Sequence, residues 1–452
     1  MCGMWGVYLT MVLMYQWTKE ARWFLTIWFM LLSAFLTLFD GVPWGGVKCV
    51  LECSMVAVDL GSYLFILLSA WLGGMVLLIS MRGVLHKDVN SGLYLLSLTS
   101  LTFILSLCFM SSDVLWFYVF YEASLIPISV LILSWGDQPE RLDAARYMVC
   151  YTIMCSAPLF FGFMSLSVKY GSFFMWFVMF KPMLPSLMWV ILSLGLLVKL
   201  PIFPLHVWLP KAHVEAPVGG SLLLAGVLLK MGGYGLFRVM MAYGYVIEKF
   251  GYVVISFCFW GGVYTSMLCI RQVDVKALIA YSSVGHMGVA CAGIYTSTEM
   301  GWNASMGLMI VHAFVSCGLF TLASYGYEVV KSRSIFLMKG LCSIYPSMSA
   351  FWFLFCFLNM GCPPSLGVLS EIMISGVMIS MGGFLALLPI VVLLFFGGGY
   401  NLYLYSETQH GASMEGGYVS KYNVSDYNGL IGFLFWSLVL VFKGGLIVGW
   451  VF

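Results

Sequence analysis

The chain reads as an all-α polytopic membrane protein of about 14 transmembrane helices, with two inverted five-helix repeats that contain broken helices. Three observations predict this. Only 9% of its 452 residues are charged and 62% are hydrophobic, whereas a soluble chain carries roughly 25% charge. Apolar runs of about 20 residues, enough to cross a hydrocarbon core, recur from end to end. The basic residues alternate between the loops that join those runs. A closed β-barrel also satisfies its backbone in lipid, but it needs strands of about ten residues alternating in polarity. The segment "SYLFILLSAWLGGMVLLIS" (62–80) is apolar on every side, which excludes the barrel. Soluble enzymes, nucleic-acid binders and single-anchor receptors are excluded on composition.

The spans fall in order near 2–17, 22–39, 60–80, 91–110, 112–134, 147–167, 185–212, 218–245, 250–270, 275–295, 302–330, 347–380, 383–405 and 429–451. The first lacks a basic leader and reads as a helix, not a cleavable signal. Residues 1–90 hold helices 1–3, 91–245 a first repeat of helices 4–8, and 250–406 a second, inverted repeat of helices 9–13. Residues 407–452 hold a polar connector and helix 14. Between helices 5 and 6, "WGDQPERLDAAR" (135–146) reads as a turn with Asp137 as cap and Glu140 three residues on. Of 21 lysines and arginines, thirteen lie in loops after odd-numbered helices and four after even-numbered ones. That bias puts both termini on the positive side of the membrane. The 13 cysteines lie mostly in apolar runs, and the closest pair, Cys49 and Cys53, has no metal or redox spacing. No disulfide framework and no iron–sulfur site is expected.

Four basic residues remain, inside spans: Lys199, Lys230, Arg238 and Lys443. Arg238 and Lys443 lie near span ends, where snorkelling is the simpler reading. Mid-span charges cost about 2.5 to 3.5 kcal/mol each on insertion scales, so each needs a reason. Glu122 is central to the fifth span, Lys199 to the seventh, Lys230 to the eighth and Glu371 to the twelfth. His286 and His312 sit within the tenth and eleventh, and His206 and His213 come after Lys199. Carboxylates, ammonium groups and imidazoles together cover the titration range that a proton relay needs. A carboxylate about 4–6 Å from a buried lysine, at an effective dielectric near 20, contributes roughly 3 to 4 kcal/mol, or about two to three pKa units. Moving one charge against 100 mV takes about 2.3 kcal/mol. The magnitudes match, so a pair whose geometry is driven from elsewhere can move a proton uphill.

The prolines mark where that happens. Pro201 and Pro204 cannot donate to the carbonyls of Leu197 and Leu200, and their rings break the helix beside Lys199. Pro127 does the same to the Ala123 carbonyl, next to Glu122. "NMGCPPS" (359–365) breaks the twelfth span two turns before Glu371. Backbone left open at membrane depth requires protein or water to satisfy it, so a hydrated pocket is expected directly at Lys199. The two broken spans lie five helices apart, and an odd number of spans inverts one repeat relative to the other.

These residues carry a resemblance. "LPIFPLHVWLPKAHVEAPVGGSLLLAGVLLKMGGYGLFR" (200–238), "RQVDVKALIAYSSVGHMG" (271–288), "FYEASLIPI" (120–128) and "GDQPERLDAARY" (136–147) resemble the antiporter-like subunits of mitochondrial respiratory complex I, the NADH–ubiquinone oxidoreductase. A Glu in helix 12 and the lack of a long lateral-helix extension after helix 14 resemble the chain 4 branch of that family. The resemblance implies a proton-pumping subunit whose relay maps onto Glu122, Lys199, Lys230 and Glu371, linked through His286, His312 and His206. It implies that Lys199 pairs with Glu122. It also implies that NADH, FMN, iron–sulfur clusters and ubiquinone are bound by partner subunits, with no cofactor and no redox centre in this chain. Its implied neighbours are other complex I subunits, notably chains 2 and 5, and its implied location is the mitochondrial inner membrane with both termini facing the intermembrane space. No nucleic acid is expected among its partners. Two other readings compete: a free-standing cation/proton antiporter of the same fold, and a proton-tight scaffold whose charges only hold helices together.

Overall fold

The computed structural model describes residues 18–39, 48–49, 56–85, 90–170, 186–243, 250–412 and 422–442. The expected first helix (2–17) and Lys443 lie outside the described residues. Among the described residues, eleven helices are long and apolar enough to cross a membrane. They correspond to the expected spans other than the first, seventh and twelfth. The last two are each divided into shorter helices, as the prolines require.

In chain order, α1 (Lys19–Phe39) is followed by a short antiparallel pair, β1 (Lys48–Cys49) and β2 (Ala57–Val58), in register Lys48 to Val58. Next come α2 (Leu60–Leu85), α3 (Ser91–Met110), α4 (Val114–Ala123), α5 (Leu125–Trp135) and α6 (Arg141–Tyr170). Helices α4 and α5 together make one span, interrupted at Ser124. α6 starts later than the expected cap: residues 137–140 form a turn, closed where Arg141 Nη1 donates to the Gly136 carbonyl at 2.7 Å. Then α7 (Ser186–Lys199) stops at the lysine, and the chain becomes helical again in α8 (Trp208–Glu215). α9 (Val218–Leu223) passes through a π-helical turn (Leu224–Leu228) into α10 (Leu229–Tyr243).

The remainder comprises α11 (Phe250–Ile270), α12 (Val275–Tyr295), α13 (Glu299–Val330), the single turn α14 (Leu341–Ile344), α15 (Pro346–Asn359), α16 (Leu366–Gly382), α17 (Leu387–Gln409) and α18 (Val424–Phe442). Thr298 caps α13 by accepting from Gly301 N–H, and Ser365 caps α16 by accepting from Val368 N–H. Both hydroxyls satisfy donors that a helix start leaves open. The Ser365 cap lets α16 start cleanly after the break.

The described residues form two compact units. One runs from α1 through Lys199 and resumes at Glu215 for α9 and α10. The other contains Leu200–Val214 and everything from α11 onward. Each has a helix sheathed by its neighbours along its whole apolar length: α9–α10 in the first and α13 in the second. The outer helices turn large apolar side chains outward, such as Met154, Phe161 and Phe395, each more than 70% exposed. Lys199, Lys230 and Arg238 are inside while hydrocarbon is outside, the arrangement that lipid selects.

Candidate functional site

In the first unit the break after α7 delivers Lys199 to the interruption between α4 and α5. The ammonium donates to the Tyr121 carbonyl at 2.5 Å and to Ser124 Oγ at 3.1 Å. It also lies 3.5 Å from the centre of the Tyr121 ring, a cation–π contact. Ser124 Oγ in turn donates to the same Tyr121 carbonyl at 2.8 Å, and Tyr121 Oη donates to Gly195 O at 2.7 Å, fixing the ring. Lys199 is 2% exposed. Glu122 lies on the same turn and acts on Lys199 through its charge, with Ser156 beside its carboxylate. Among the described residues the two make no direct ion pair within 4 Å, and Glu122 Oε1 is buried without a hydrogen-bond partner. The expected pairing is thus a shared pocket: the helix interruption supplies a carbonyl acceptor nearer than the carboxylate.

Lys230 is fully buried on α10. Its ammonium donates to the Ala225 carbonyl, which belongs to the π turn just upstream. A π turn widens the helix by one residue and re-aims the side chains downstream of it, a device frequent at functional sites. Arg238, two turns further, does not snorkel. It is 4% exposed, pairs with Asp59 at 2.5 Å (Nη2 to Oδ1), and lies over the Tyr234 ring at 4.8 Å. Asp59 precedes α2 and closes a capping box with Ser62: Ser62 N–H donates to its carboxylate at 2.8 Å and Asp59 N–H to Ser62 Oγ at 2.9 Å. Burial raises the Asp59 pKa, but Arg238 and Ser62 outweigh it and hold the carboxyl below the ordinary range. Asp59 and the Tyr234 ring thus hold the guanidinium inside the protein at the span end where it would otherwise find water.

In the second unit three predicted residues converge. Glu371 Oε1 on α16 lies 3.6 Å from His286 Nδ1 on α12, and the His286 and His312 ring centres are 5.7 Å apart. Tyr400 Oη on α17 lies 3.5 Å from His286 Nε2. Two small cavities flank this group. One, lined by His286, Glu371, Tyr400, Tyr281, Ser266 and Ser282 among others, leaves about 10 Å³ for a water centre. The other, which His312 shares with His286, Glu371 and Gly361, leaves about 20 Å³. Each volume is on the scale of a single water. Asn359 Nδ2 donates to Asn401 Oδ1 at 2.9 Å beside them, both side chains buried. The twelfth span's break supplies Gly361 at φ +71°, where an added Cβ would come 2.8 Å from Glu371 Oε2. Glycine there both permits the backbone and leaves room for the carboxylate.

His206, also in this unit, packs against Phe203 (5.6 Å) and Tyr281 (6.0 Å). Its Nδ1 is buried without a hydrogen-bond partner, and Tyr281 continues from it to the His286 cavity. His213 stacks on Phe320 at 4.6 Å. The sequence reading missed Tyr121, Ser124, Asp59, Tyr281, Asn359, Tyr400 and Asn401. A usable signal existed for two of them: "GGGYN" (397–401) places a polar pair after three glycines in an otherwise apolar span.

Residues 111–397 match the family described as NADH:quinone oxidoreductase/Mrp antiporter, TM. The chain is 39% identical over 398 residues to NADH-ubiquinone oxidoreductase chain 4 of Lumbricus terrestris, covering 87% of this chain and 88% of that one. It is 42% identical to the Aedes aegypti protein of the same name, over 80% of each. Among solved structures it is similar to a chain of respiratory complex I from Thermus thermophilus with bound NADH, with a TM-score of 0.86 at 22% identity, over 99% of this chain and 98% of that one. It is also similar to a chain of the Mrp complex from Dietzia sp., with a TM-score of 0.82 at 14% identity, over 98% and 93%. At those identities the structural matches speak for the fold alone.

Proposed function

Because the chain belongs to the NADH-ubiquinone oxidoreductase chain 4 family, the proton-translocating membrane-arm subunits of respiratory complex I, we propose that it moves protons through its own buried Glu, Lys and His side chains. It is a multi-pass inner-membrane protein and a subunit of the proton-translocating NADH:ubiquinone reductase, and its partners are the other subunits of that complex. The relay comprises Glu122, Lys199 and Lys230 in the first unit and His206, His286, His312 and Glu371 in the second. NADH, FMN, the iron–sulfur clusters and ubiquinone belong to partner subunits, whose redox chemistry supplies the drive. Chains 2 and 5 are the neighbouring antiporter-like subunits. Both termini face the intermembrane space, as the basic-loop bias implies. Residues 91–245 and 250–406 act as the two inverted repeats.

The observation that carries the reading is the Glu371–His286 contact at 3.6 Å, with water-sized cavities on either side of it. A carboxyl and an imidazole this close need to approach by only about half an ångström to reach hydrogen-bonding distance, at which a proton can pass between them. Lys199 supports it from the other unit. Its ammonium is held by a carbonyl, a hydroxyl and a ring face, all neutral, and the Glu122 carboxylate acts on it through its charge.

The test is Lys199→Met in the intact complex, reconstituted into liposomes. Assembly is expected to be retained while protons pumped per NADH fall on the order of ten-fold or more. Unchanged pumping with an assembled complex would leave only the scaffold reading. The competing antiporter reading predicts Na⁺- or K⁺-dependent proton uptake by the chain without NADH oxidation, and the same liposomes measure it.

A further inference from the structure

The His286 ring has two nitrogens, and the relay uses only one of them. Nδ1 faces Glu371 Oε1 at 3.6 Å, while Nε2 faces Tyr400 Oη at 3.5 Å. One imidazole thus stands between a carboxyl and a phenol. Tyr400 is 3% exposed, in a unit where lipid-facing aromatics are plentiful. Asn401 and Ser282, the latter one turn before His286 on α12, both flank the same hydroxyl. Ser266, Tyr281 and Ser282 add hydroxyls to the lining of the small cavity that Glu371 and Tyr400 share. The amides nearby are different in kind. Asn359 Nδ2 donates to Asn401 Oδ1, and Asn401 Nδ2 donates to the Gly397 carbonyl at 2.9 Å. Primary amides have no proton to give up near neutral pH, so they hold the site in place without relaying. The hydroxyls are the groups that can pass a proton on.

We propose that Tyr400 is a proton-relaying residue that extends the path beyond Glu371 and His286 toward Ser282. The inference rests on the reading of Glu371 as a proton carrier. In the step, the Glu371 O–H bond breaks and its proton bonds to Nδ1. The Nε2–H bond breaks and that proton bonds to the Tyr400 oxygen. The original phenolic O–H breaks, and its proton passes to a water in the Ser266–Ser282 side of the cavity. Imidazole and phenol end neutral, the imidazole in its other tautomer. Glu371 ends as carboxylate, and the water carries the proton onward. The phenol never has to ionise, so the high pKa ordinary for a phenol is no obstacle.

Tyr400→Phe removes the hydroxyl and keeps the ring. In the intact complex reconstituted into liposomes, it is expected to assemble, to lower protons pumped per NADH about two- to ten-fold, and to change the solvent deuterium isotope effect on pumping. Tyr400→His, which restores a group that can accept and donate, is expected to recover part of the loss. Glu371→Gln is measured alongside. If Glu371→Gln impairs pumping and Tyr400→Phe does not, the inference falls and the relay reading stands. If neither impairs pumping, both fall. If Tyr400→Phe lowers pumping with no change in the isotope effect, the phenol is a packing element and the inference is overturned. Should Tyr400→Phe fail to assemble, Ser282→Ala takes its place in the same cavity. Lowered pumping with a changed isotope effect is expected, and parental behaviour overturns the proposal.

Discussion

Gly361→Ala changes one methyl group beside the Glu371 carboxylate and tests whether its position matters. Alanine at φ +71° enters the left-handed region, which costs about 1–2 kcal/mol for a residue with a Cβ. The new Cβ would also lie 2.8 Å from Glu371 Oε2, inside any ordinary contact distance. To relieve it the carboxylate has to retreat by about half an ångström. A retreat directed away from His286 lengthens that contact from 3.6 Å to about 4.1 Å. For the ion-paired form of the contact, at an effective dielectric near 20, the attraction weakens from about 4.6 to about 4.0 kcal/mol. That loss of roughly 0.6 kcal/mol is close to a three-fold change in a proton-transfer equilibrium. Two assays separate the effects: heat resistance of the assembled complex on native gels reads the backbone strain, and proton pumping per NADH reads the carboxylate shift. The control is Gly361→Asn, which tolerates the left-handed backbone but carries the same Cβ. It is expected to regain heat resistance and still to pump about three-fold less. Parental pumping by both variants would refute the claim that Gly361 positions Glu371.

Two buried pairs yield further tests. Asp59→Asn leaves Arg238 buried beside an amide and is expected to cost about 3 kcal/mol of stability, most of it recovered in the Asp59→Asn/Arg238→Met double variant; equal losses in single and double variants would show that the pair is not coupled. The folded Asp59 pKa lies below its unfolded value, so the pair contributes fully above the ordinary carboxylate pKa. Its contribution disappears only as pH falls through the lowered folded value, and melting curves of the parent and Asp59→Asn should converge in acid. Asn359→Leu strands the Asn401 carbonyl oxygen and is expected to cost about 1–3 kcal/mol, while the double Leu variant costs less. A double variant worse than the single would mean that the amides serve something other than each other.

The spans, the broken helices and the mid-membrane Glu, Lys and His residues can be read from the sequence because each is a local conflict with lipid. A proline within a few residues of a lysine in an apolar run is visible in a short window. The partners cannot be read that way. Lys199 meets Tyr121 across 78 residues, His286 meets Tyr400 across 114, Asn359 meets Asn401 across 42, and Arg238 meets Asp59 across 179. The glycines before Tyr400 and Asn401 mark a polar pair in an apolar span, but nothing local names its partners, since a phenol suits lipid, core and interface equally. Arg238 reads as a snorkelling residue because its position along the span is legible and the element covering that span end is not. The π turn before Lys230 is hidden for a similar reason: "LLAGVLLK" has no proline and suits an ordinary helix.

The two sheathed helices meet different histories as the chain enters the bilayer in sequence order. α9–α10 packs mainly against α2, α3 and α7, all synthesised before it. When Lys230 and Arg238 arrive, Asp59 and a ready groove are already in place. α13 packs against α12 but also against α15, α16 and α18, which emerge after it. His312 finds His286 of α12 already in place, but the side later covered by α15 and α16 stays open until those helices have been inserted. A nascent chain halted after α13 should be a preferred substrate for membrane chaperones and proteases, whereas one halted after α10 should not. Cross-linking from position 312 to lipid in a halted chain, lost in the full-length one, would measure that window directly.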